Sequence, residues 1–459
     1  MLLSCDKLSF SYTSWQGEAL FTILKDITFK LEDKENILIL AEPESGKTTL
    51  SLILSSLIPA YFDGVLEGGL KLDGKELPPA AELLGSIALV PQNSAEYTIT
   101  SSVEDEIIYP LESLSLTKEE MSIRLERELC RWGLDKLRHV GTGELSGGEK
   151  RRLMLGAAYA SNPSIIIYDE SFDDLDIHWR SFLAEDIKAR NHASIVFASH
   201  YLPVFDNLFD RTYVLEDGIL AEKEASAFKR PEGVVFSRRR GRRESVLAAE
   251  NILFTHPHRN TAGSDAFVLK ADDFHISTGE IITLTGANGS GKSTFSRLLC
   301  GLDTPQSGGF FINAEKADGK ILTRSVGYMF QNPDYQIFLP SVRDELSFSL
   351  DYLTLSAEEK EAKLLDLAAL FDLDLDQVAS LMSYGARKRL QSAIYYNLDR
   401  PFYILDELDS ALNYRESYKI VDCLVSRGAG ILLITHDSDF ALDIKDRGYC
   451  FKDGVLYEE

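Results

Sequence analysis

The chain has 459 residues, with 48 basic and 72 acidic side chains and a formal net charge of −24. At roughly 150 residues per domain this is two or three domains with ample core, and 44% hydrophobic against 26% charged content excludes a disordered or fibrous chain. No apolar run approaches the ~20 residues that cross a bilayer, and the acidic balance argues against a bulk nucleic-acid binder, which needs positive surface.

Met1 to Cys5 end like a lipoprotein cleavage box but lack the basic and apolar regions that precede one, so no targeting segment is expected. Cys5, Cys130, Cys300, Cys423 and Cys450 show no CxxC spacing and read as reduced thiols rather than a disulfide frame or zinc site. Leu8–Tyr12 and Ile27–Leu31 alternate as antiparallel strands do. The apolar run Asn36–Ala41 leads through Glu42-Pro-Glu-Ser-Gly46 into a helix at Lys47-Thr48-Thr49. Thr117–Trp132 is an amphipathic helical stretch. Leu145-Ser146-Gly147-Gly148-Glu149 opens a helix over Lys150–Ala160; its N–H dipoles can face an anion, or Ser146 is an ordinary cap. The strand Ile165–Tyr168 runs into Asp169-Glu170, and Ile195–Ala198 runs into His200.

The same order then repeats. Tyr12, Lys47, Gln92, Ser146, Asp169 and His200 are echoed by His256, Lys292, Gln331, Ser383, Asp406 and His436. Each unit fills about half the chain, so the repeat is of whole domains. The junction near Ala225–Leu247 carries Arg238-Arg-Arg-Gly-Arg-Arg243, a solvated hinge or a contact for anionic lipid headgroups. In the second copy Ser356–Phe371 is amphipathic, with Leu364, Leu365, Leu367, Leu370 and Phe371 fitting one face. Strand and helix alternate throughout, which predicts an α/β fold with a parallel sheet core and a helical insertion before Ser146.

Three patterns carry chemistry. Gly286-Ala-Asn288-Gly289-Ser290-Gly291-Lys292-Ser293-Thr294 fits GxxxxGK[ST] after a strand and before a helix. In that setting backbone N–H groups cradle phosphates, Lys292 reaches the β/γ oxygens and Ser293 holds Mg²⁺. Asp169-Glu170 and Asp406-Glu407 end apolar runs; the aspartate can hold Mg²⁺ and the glutamate can orient an attacking water, or the pairs are solvent-facing carboxylates. His200 and His436 follow the next strand and read as γ-phosphate sensors once they stand in order behind a phosphate loop.

The order of aromatic residue, phosphate loop, glutamine, LSGGE, Asp-Glu and histidine resembles the ATP-binding domain of ABC transporters, twice over. Glu170-Ser-Phe-Asp-Asp-Leu-Asp176 and Glu407-Leu-Asp-Ser-Ala-Leu-Asn413 resemble the loop that links the two halves of that family's dimer. The resemblance implies two P-loop NTPase domains, 1–228 and 248–459, joined by a basic linker at 229–247. Each would have a parallel-sheet core, an antiparallel β subdomain and a helical insertion. It implies head-to-tail pairing, so that each ATP with Mg²⁺ lies between one phosphate loop and the other domain's signature helix. One composite site would use Gly286, Asn288, Gly289, Ser290, Gly291, Lys292, Ser293 and Thr294 with Ser146, Gly147 and Gly148. Its metal ligands would be Ser293, Gln331 and Asp406, and its catalytic groups Glu407, His436 and Gln331. The other would use Ser45, Gly46, Lys47, Thr48 and Thr49 with Ser383 and Gly385, metal ligands Thr48, Gln92 and Asp169, and catalytic Glu170 and His200. Tyr12 and His256 would stack on adenine.

Gln331-Asn-Pro-Asp-Tyr-Gln-Ile-Phe338 resembles the segment typical of energy-coupling-factor importers of vitamins and metal ions; the first copy has Gln92-Asn-Ser-Ala-Glu-Tyr-Thr-Ile99. That subtype implies transmembrane coupling and substrate-capturing partners at the cytoplasmic face of the membrane, and no nucleic acid. The segments after each glutamine would face the membrane partner, with Glu104, Asp105, Glu106, Asp344 and Glu345 either receiving basic coupling helices or simply complementing helix dipoles. Two other readings compete: the double ATPase of a monosaccharide importer, and a soluble ABC-F translation factor, which has a long charged helical linker that this chain lacks.

The departures from the family pattern pair off. Ala41 and Glu44 replace glycines of the first phosphate loop. Glu44 loses backbone freedom, and Glu42 and Glu44 bring negative charge towards the phosphates. In the second signature Tyr384 stands in place of Gly147 and Ala386 in place of Glu149. Head-to-tail pairing would put both defects in one composite site, leaving one competent and one impaired.

Overall fold

The computed structural model describes residues 2–13, 19–42, 44–94, 97–189, 191–229, 236, 245–255, 267–287, 289–351, 353–410, 412–435 and 437–459. The chain separates into two units, Met1–Arg230 and Pro231–Glu459. Most of the expected linker at 229–247, including Arg238–Arg243, lies outside the described residues.

Runs of consecutive apolar residues, rather than alternating ones, build the centre of each unit, as strands covered on both faces require. The strands of the first unit are β1 (Leu3–Thr13), β2 (Ala19–Leu31), β3 (Asn36–Ala41), β4 (Gly64–Leu72), β5 (Lys75–Glu76), β6 (Ile87–Val90), β7 (Ile165–Asp169), β8 (Ala193–Ala198), β9 (Arg211–Glu216) and β10 (Ile219–Glu222). Every residue of β3, β7 and β8 is buried. They lie in a six-stranded sheet of order β10-β9-β3-β8-β7-β6, parallel except for the β9–β10 hairpin. A separate antiparallel sheet runs β2-β1-β4-β5.

The second unit repeats the plan with β11 (Val246–Thr255), β12 (Val268–Ser277), β13 (Ile281–Gly286), β14 (Ser307–Ile312), β15 (Glu315–Ala317), β16 (Val326–Met329), β17 (Phe402–Asp406), β18 (Gly430–Ile434), β19 (Arg447–Lys452) and β20 (Val455–Glu458). Here both layers join in one ten-stranded sheet, because β12 touches β20 at Lys270 and Val455. The joint is the same in both units. Lys25 donates to the Gly218 carbonyl at 2.7 Å and Lys270 to that of Gly454 at 2.8 Å. Both glycines have φ of 78°. A Cβ on them would lie 2.4 Å from the Ile23 oxygen and 2.2 Å from the Val268 oxygen.

The helical insertion is present in both units. In the first, the helices Val103–Glu112, Lys118–Arg131 and Gly147–Ala160 enclose the fully buried Trp132. In the second, Val342–Leu350, Ala357–Phe371 and Tyr384–Leu398 pack around Leu346 and Leu390. Two expectations are corrected. The signature helix begins at Gly147, a turn before Lys150, because Ser146 and Glu149 form a reciprocal cap. Leu365 is 55% exposed; it follows Leu364 directly, so a helix turns it ~100° off the buried stripe of Leu364, Leu367, Ala368 and Phe371. No helix among the described residues is long and apolar enough to cross a membrane.

Candidate functional site

The second unit carries a phosphate loop with three glycines at positive φ. β13 delivers Gly286 at φ 138°, followed by Gly289 at 78° and Gly291 at 118°, all conformations that favour glycine. A Cβ on Gly286 would sit 2.7 Å from both the Phe451 oxygen and Ser290 Oγ. Gly291 caps the helix Lys292–Leu299 with no side-chain hydrogen bond, so no side chain competes for the first-turn N–H groups. Lys292 is buried, with Nζ donating to the carbonyls of Gly286 at 2.7 Å and Ala287 at 3.2 Å. Ser293 is exposed and Thr294 half-buried in the same first turn. Asn288 lies outside the described residues.

Asp406, buried at the end of β17, accepts a 2.7 Å hydrogen bond from the Tyr328 hydroxyl. Burial raises its pKa, opposed by Tyr328, Lys292 and Lys388. Glu407 follows with φ 48°, and its Oε2 accepts from Gln331 Nε2 at 2.6 Å. Asp406, Glu407 and Gln331 thus meet beside the Lys292 loop, and Lys388 donates to the Glu407 carbonyl. The expected partners His436 and His256 lie outside the described residues.

The first unit holds the same groups in a tighter knot. Glu44 takes φ 64°, the left-handed conformation that Gly289 takes in the other loop. A Cβ at Gly289 would meet nothing within 4 Å, so the cost at Glu44 is one of backbone rather than of space. Glu42 and Glu44 are exposed, which screens their charge. Ser45 Oγ donates to the Glu42 carbonyl at 2.6 Å, and Gly46 caps the helix Lys47–Leu54 at φ 98°. Thr48 is exposed in its first turn and Thr49 is buried. Lys47 Nζ reaches the Ala41 carbonyl at 2.8 Å, Ser199 Oγ at 2.7 Å and Glu170 Oε1 at 2.9 Å. Burial favours a proton on Glu170, but Lys47, Ser199 and His200 outweigh it and hold the carboxyl below its usual range. Asp169 accepts from Ser51 Oγ at 3.0 Å. Burial and then the Glu170 charge push its pKa up to about 6, and its Oδ1 is buried without a hydrogen-bond partner. His200 is buried with Nε2 3.9 Å from Asp173 Oδ1. The Gln92 carbonyl accepts from Arg151, a residue of the signature helix that also pairs with Asp174 at 2.6 Å. Tyr12 stands over this loop, its hydroxyl 2.9 Å from Thr49 Oγ1 and its ring edge-on to Phe10.

The signature segments differ. Ser146 accepts from the Glu149 N–H while Glu149 Oε2 accepts from Ser146 N at 2.8 Å, with half-buried Gly147 and buried Gly148 opening the helix. Ser383 caps through the Ala386 N–H at 3.1 Å, and the Ala386 methyl group offers no acceptor to close the box. Gly385 is buried. Tyr384 donates its hydroxyl to the Gln331 carbonyl of its own unit at 2.9 Å.

Of the five acidic residues read either as a docking surface or as complements to helix dipoles, Glu106 and Glu345 are corrected, while Asp105 and Asp344 are exposed. Glu106 and Glu345 are interior groups. Glu106 Oε2 accepts from the N–H groups of Ile99 and Thr100 and from the Thr100 hydroxyl, and Glu345 Oε1 accepts from the N–H groups of Phe338 and Leu339. Asp105 and Asp344 bond their own helix caps, Ser102 and Ser341, and Glu104 pairs with Arg138. Sequence reasoning also passed over Ser199 and Arg151. For the two glutamates a signal existed, since they recur at matching places in the two copies.

These residues fit a nucleoside triphosphate with Mg²⁺. The positive-φ glycine cradle suits phosphate oxygens, and a buried carboxylate with an orphaned oxygen beside an exposed first-turn hydroxyl is a hard-cation donor set. The fold and the loops define a tandem phosphate-loop protein that binds nucleoside triphosphates. A family model described as ABC transporter matches residues 24–173 and 269–410, and the chain belongs to that family as an ATP-binding protein with two tandem domains. Membership carries ATP and Mg²⁺ binding and ATP hydrolysis as general properties. Among curated relatives, a provisionally named ABC transporter ATP-binding protein of Treponema denticola is 26% identical, the match covering 100% of this chain and 96% of that one. A protein of Bacillus subtilis, named provisionally as the HMP/thiamine import ATP-binding protein YkoD, is 29% identical over 98% of this chain and 91% of its own length. Among solved structures, archaeal ribosome recycling factor aABCE1, in complex with ribosomal stalk protein aP1, matches with TM-score 0.61 and 18% identity. That match covers 98% of this chain and 89% of aABCE1 and is a likeness of fold.

Proposed function

We propose that the chain is the ATP-hydrolysing subunit of an importer of the energy-coupling-factor type, serving vitamin or metal-ion uptake from the cytoplasmic face of a membrane. Its domains are 1–228 and 248–459 with the basic linker 229–247 between them. They pair head to tail, so the Lys292 loop works with Ser146, Gly147 and Gly148, and the Lys47 loop with Ser383 and Gly385. The first site is competent and the second impaired.

The observation that carries the competent site is the contact of Gln331 with Glu407 beside a loop that has glycine at 286, 289 and 291. There Lys292 and the first-turn N–H groups bind the β/γ phosphates, and Ser293, Asp406 and Gln331 hold Mg²⁺. The metal neutralises charge on the phosphate oxygens when bound. Glu407 orients water, and His436 contacts the γ-phosphate. At the other site Glu44 and Tyr384 weaken the cradle, while Lys47, Thr48, Gln92, Asp169, Glu170 and His200 remain to bind nucleotide. Tyr12 and His256 face the adenines.

Three supports favour a membrane partner. The segment Gln331–Phe338 resembles the energy-coupling-factor type, and a relative's name includes HMP/thiamine import. Matching positions of both copies also expose apolar side chains after the glutamine: Ile99 and Phe338 at 67% and 70%, Tyr109 and Phe348 at 54% and 59%. Recurrent apolar exposure marks an interaction surface.

The site assignment is tested by ATP turnover of two variants. Glu407→Gln is expected to abolish hydrolysis and Glu170→Gln to leave most of it; the reverse would overturn the assignment. The importer reading is tested by extracting the tagged chain from native membranes in mild detergent. Small polytopic membrane proteins are expected to co-purify. Ribosomal proteins with a soluble chain would overturn it in favour of a translation factor.

A further inference from the structure

The backbone around Gln331 is tied on both sides of its Cα. Before it, the Phe330 carbonyl accepts from Gln391 Nε2 at 3.1 Å and the Phe330 N–H donates to Gln336 Oε1 at 3.0 Å. Gln336 is itself held, donating to the Tyr328 carbonyl at 2.9 Å. After it, the Gln331 carbonyl accepts from the Tyr384 hydroxyl at 2.9 Å. Arg387, a turn further along the same helix, lies 3.1 Å from the Asp334 carboxylate. Tying the peptide planes on both sides of one Cα fixes its φ and ψ, and with them the direction of the side chain. That side chain ends 2.6 Å from Glu407 Oε2. Lys388, also on the Tyr384–Leu398 helix, donates to the Glu407 carbonyl. One helix therefore holds the backbones of both partners in the amide–carboxylate contact. At the matching place in the first unit stands Gly147, which has no side chain to make this tie.

We propose that Tyr384 is a positioning residue for the Lys292 site: its hydroxyl fixes the Gln331 carbonyl and so aims the Gln331 amide at Glu407. The substitution that spoils the second signature for close approach to phosphate thereby braces the catalytic groups of its own domain. This rests on the reading that Gln331 and Glu407 serve catalysis at that site. Preorganised groups contribute by having no orientation left to lose on reaching the transition state.

The test uses the full chain. Tyr384→Phe removes one oxygen and keeps the ring. Turnover is expected to fall about two- to tenfold, the range of one neutral hydrogen bond, with the KM for ATP within about twofold of wild type. In nucleotide-free protein, amide exchange over residues 330–336 is expected to speed up by a similar factor. In a Gln331→Ala background, Tyr384→Phe is expected to add no further loss of turnover. Wild-type turnover and exchange in Tyr384→Phe, or its full effect persisting without the Gln331 amide, would overturn the proposal while leaving the site assignment intact. Wild-type turnover in Gln331→Ala would overturn the site reading itself, and the proposal with it.

Discussion

Glu44 holds φ 64°, a conformation that costs an L side chain about 1–2 kcal/mol. Glu44→Gly would remove both this strain and a negative charge beside the cradle. In a Lys292→Met background, which silences the other loop, titration with a non-hydrolysable ATP analogue is expected to show up to about tenfold tighter binding at the Lys47 site. A second residue reports through pH. His192 is buried, with Nε2 3.0 Å from the Tyr168 hydroxyl. Burial, and then the Arg131 charge, depress its pKa from 6.5 to about 4. The folded chain thus refuses a proton that the unfolded chain takes up below its ordinary pKa. The stability His192 confers is complete above about pH 6.5 and is lost as pH falls through about 4. At about 1.4 kcal/mol per pH unit this amounts to roughly 3 kcal/mol. Denaturant unfolding of wild type and His192→Asn at pH 7 and 4.5 checks it; equal losses in both would remove His192 as the cause. The sequence brought Lys47, Asp169, Glu170 and His200 to one place because motif order carries them. It did not foresee Ser199 between Lys47 and Glu170, nor Arg151 reaching Gln92. Such contacts depend on which strand lies beside which, and spacing along the chain does not encode that.

Strands and caps were the legible elements. β3, β7 and β8 announce themselves as short apolar runs, and Ser146, Thr117 and Ser356 mark helix starts with a glutamate three residues on. What escaped was direction. Glu106 and Glu345 look like the acidic first turn of a solvated helix, and only the fold turns them inward onto loop N–H groups. The joint between layers was equally invisible, since an Asp-Gly pair reads as an ordinary turn. Its strength can be tested. Gly454→Ala combines a left-handed backbone with a Cβ 2.2 Å from the Val268 oxygen. A loss of about 2–3 kcal/mol is expected, lowering the melting temperature of that unit by roughly 5–10 °C. An unchanged melt would mean that the layers part without cost.

Across the whole molecule, one plan is executed twice with different fidelity. Both units place an acidic pair at the end of a buried strand, and in both the glutamate takes positive φ, 52° at Glu170 and 48° at Glu407. The chain therefore carries an alignment of two within itself. Between the copies Ala41 stands opposite Gly286, Glu44 opposite Gly289, and Tyr384 opposite Gly147. The hairpin-tip glycines, Gly218 and Gly454, have not drifted. Duplication relaxes selection on whatever a twin can still do, and turnover at one centre can serve both halves. Cohesion cannot be delegated in this way, because neither half can borrow the other's turn to keep its own layers together. Under the proposed division of labour, one centre is free to diverge while both frames stay under the same constraint.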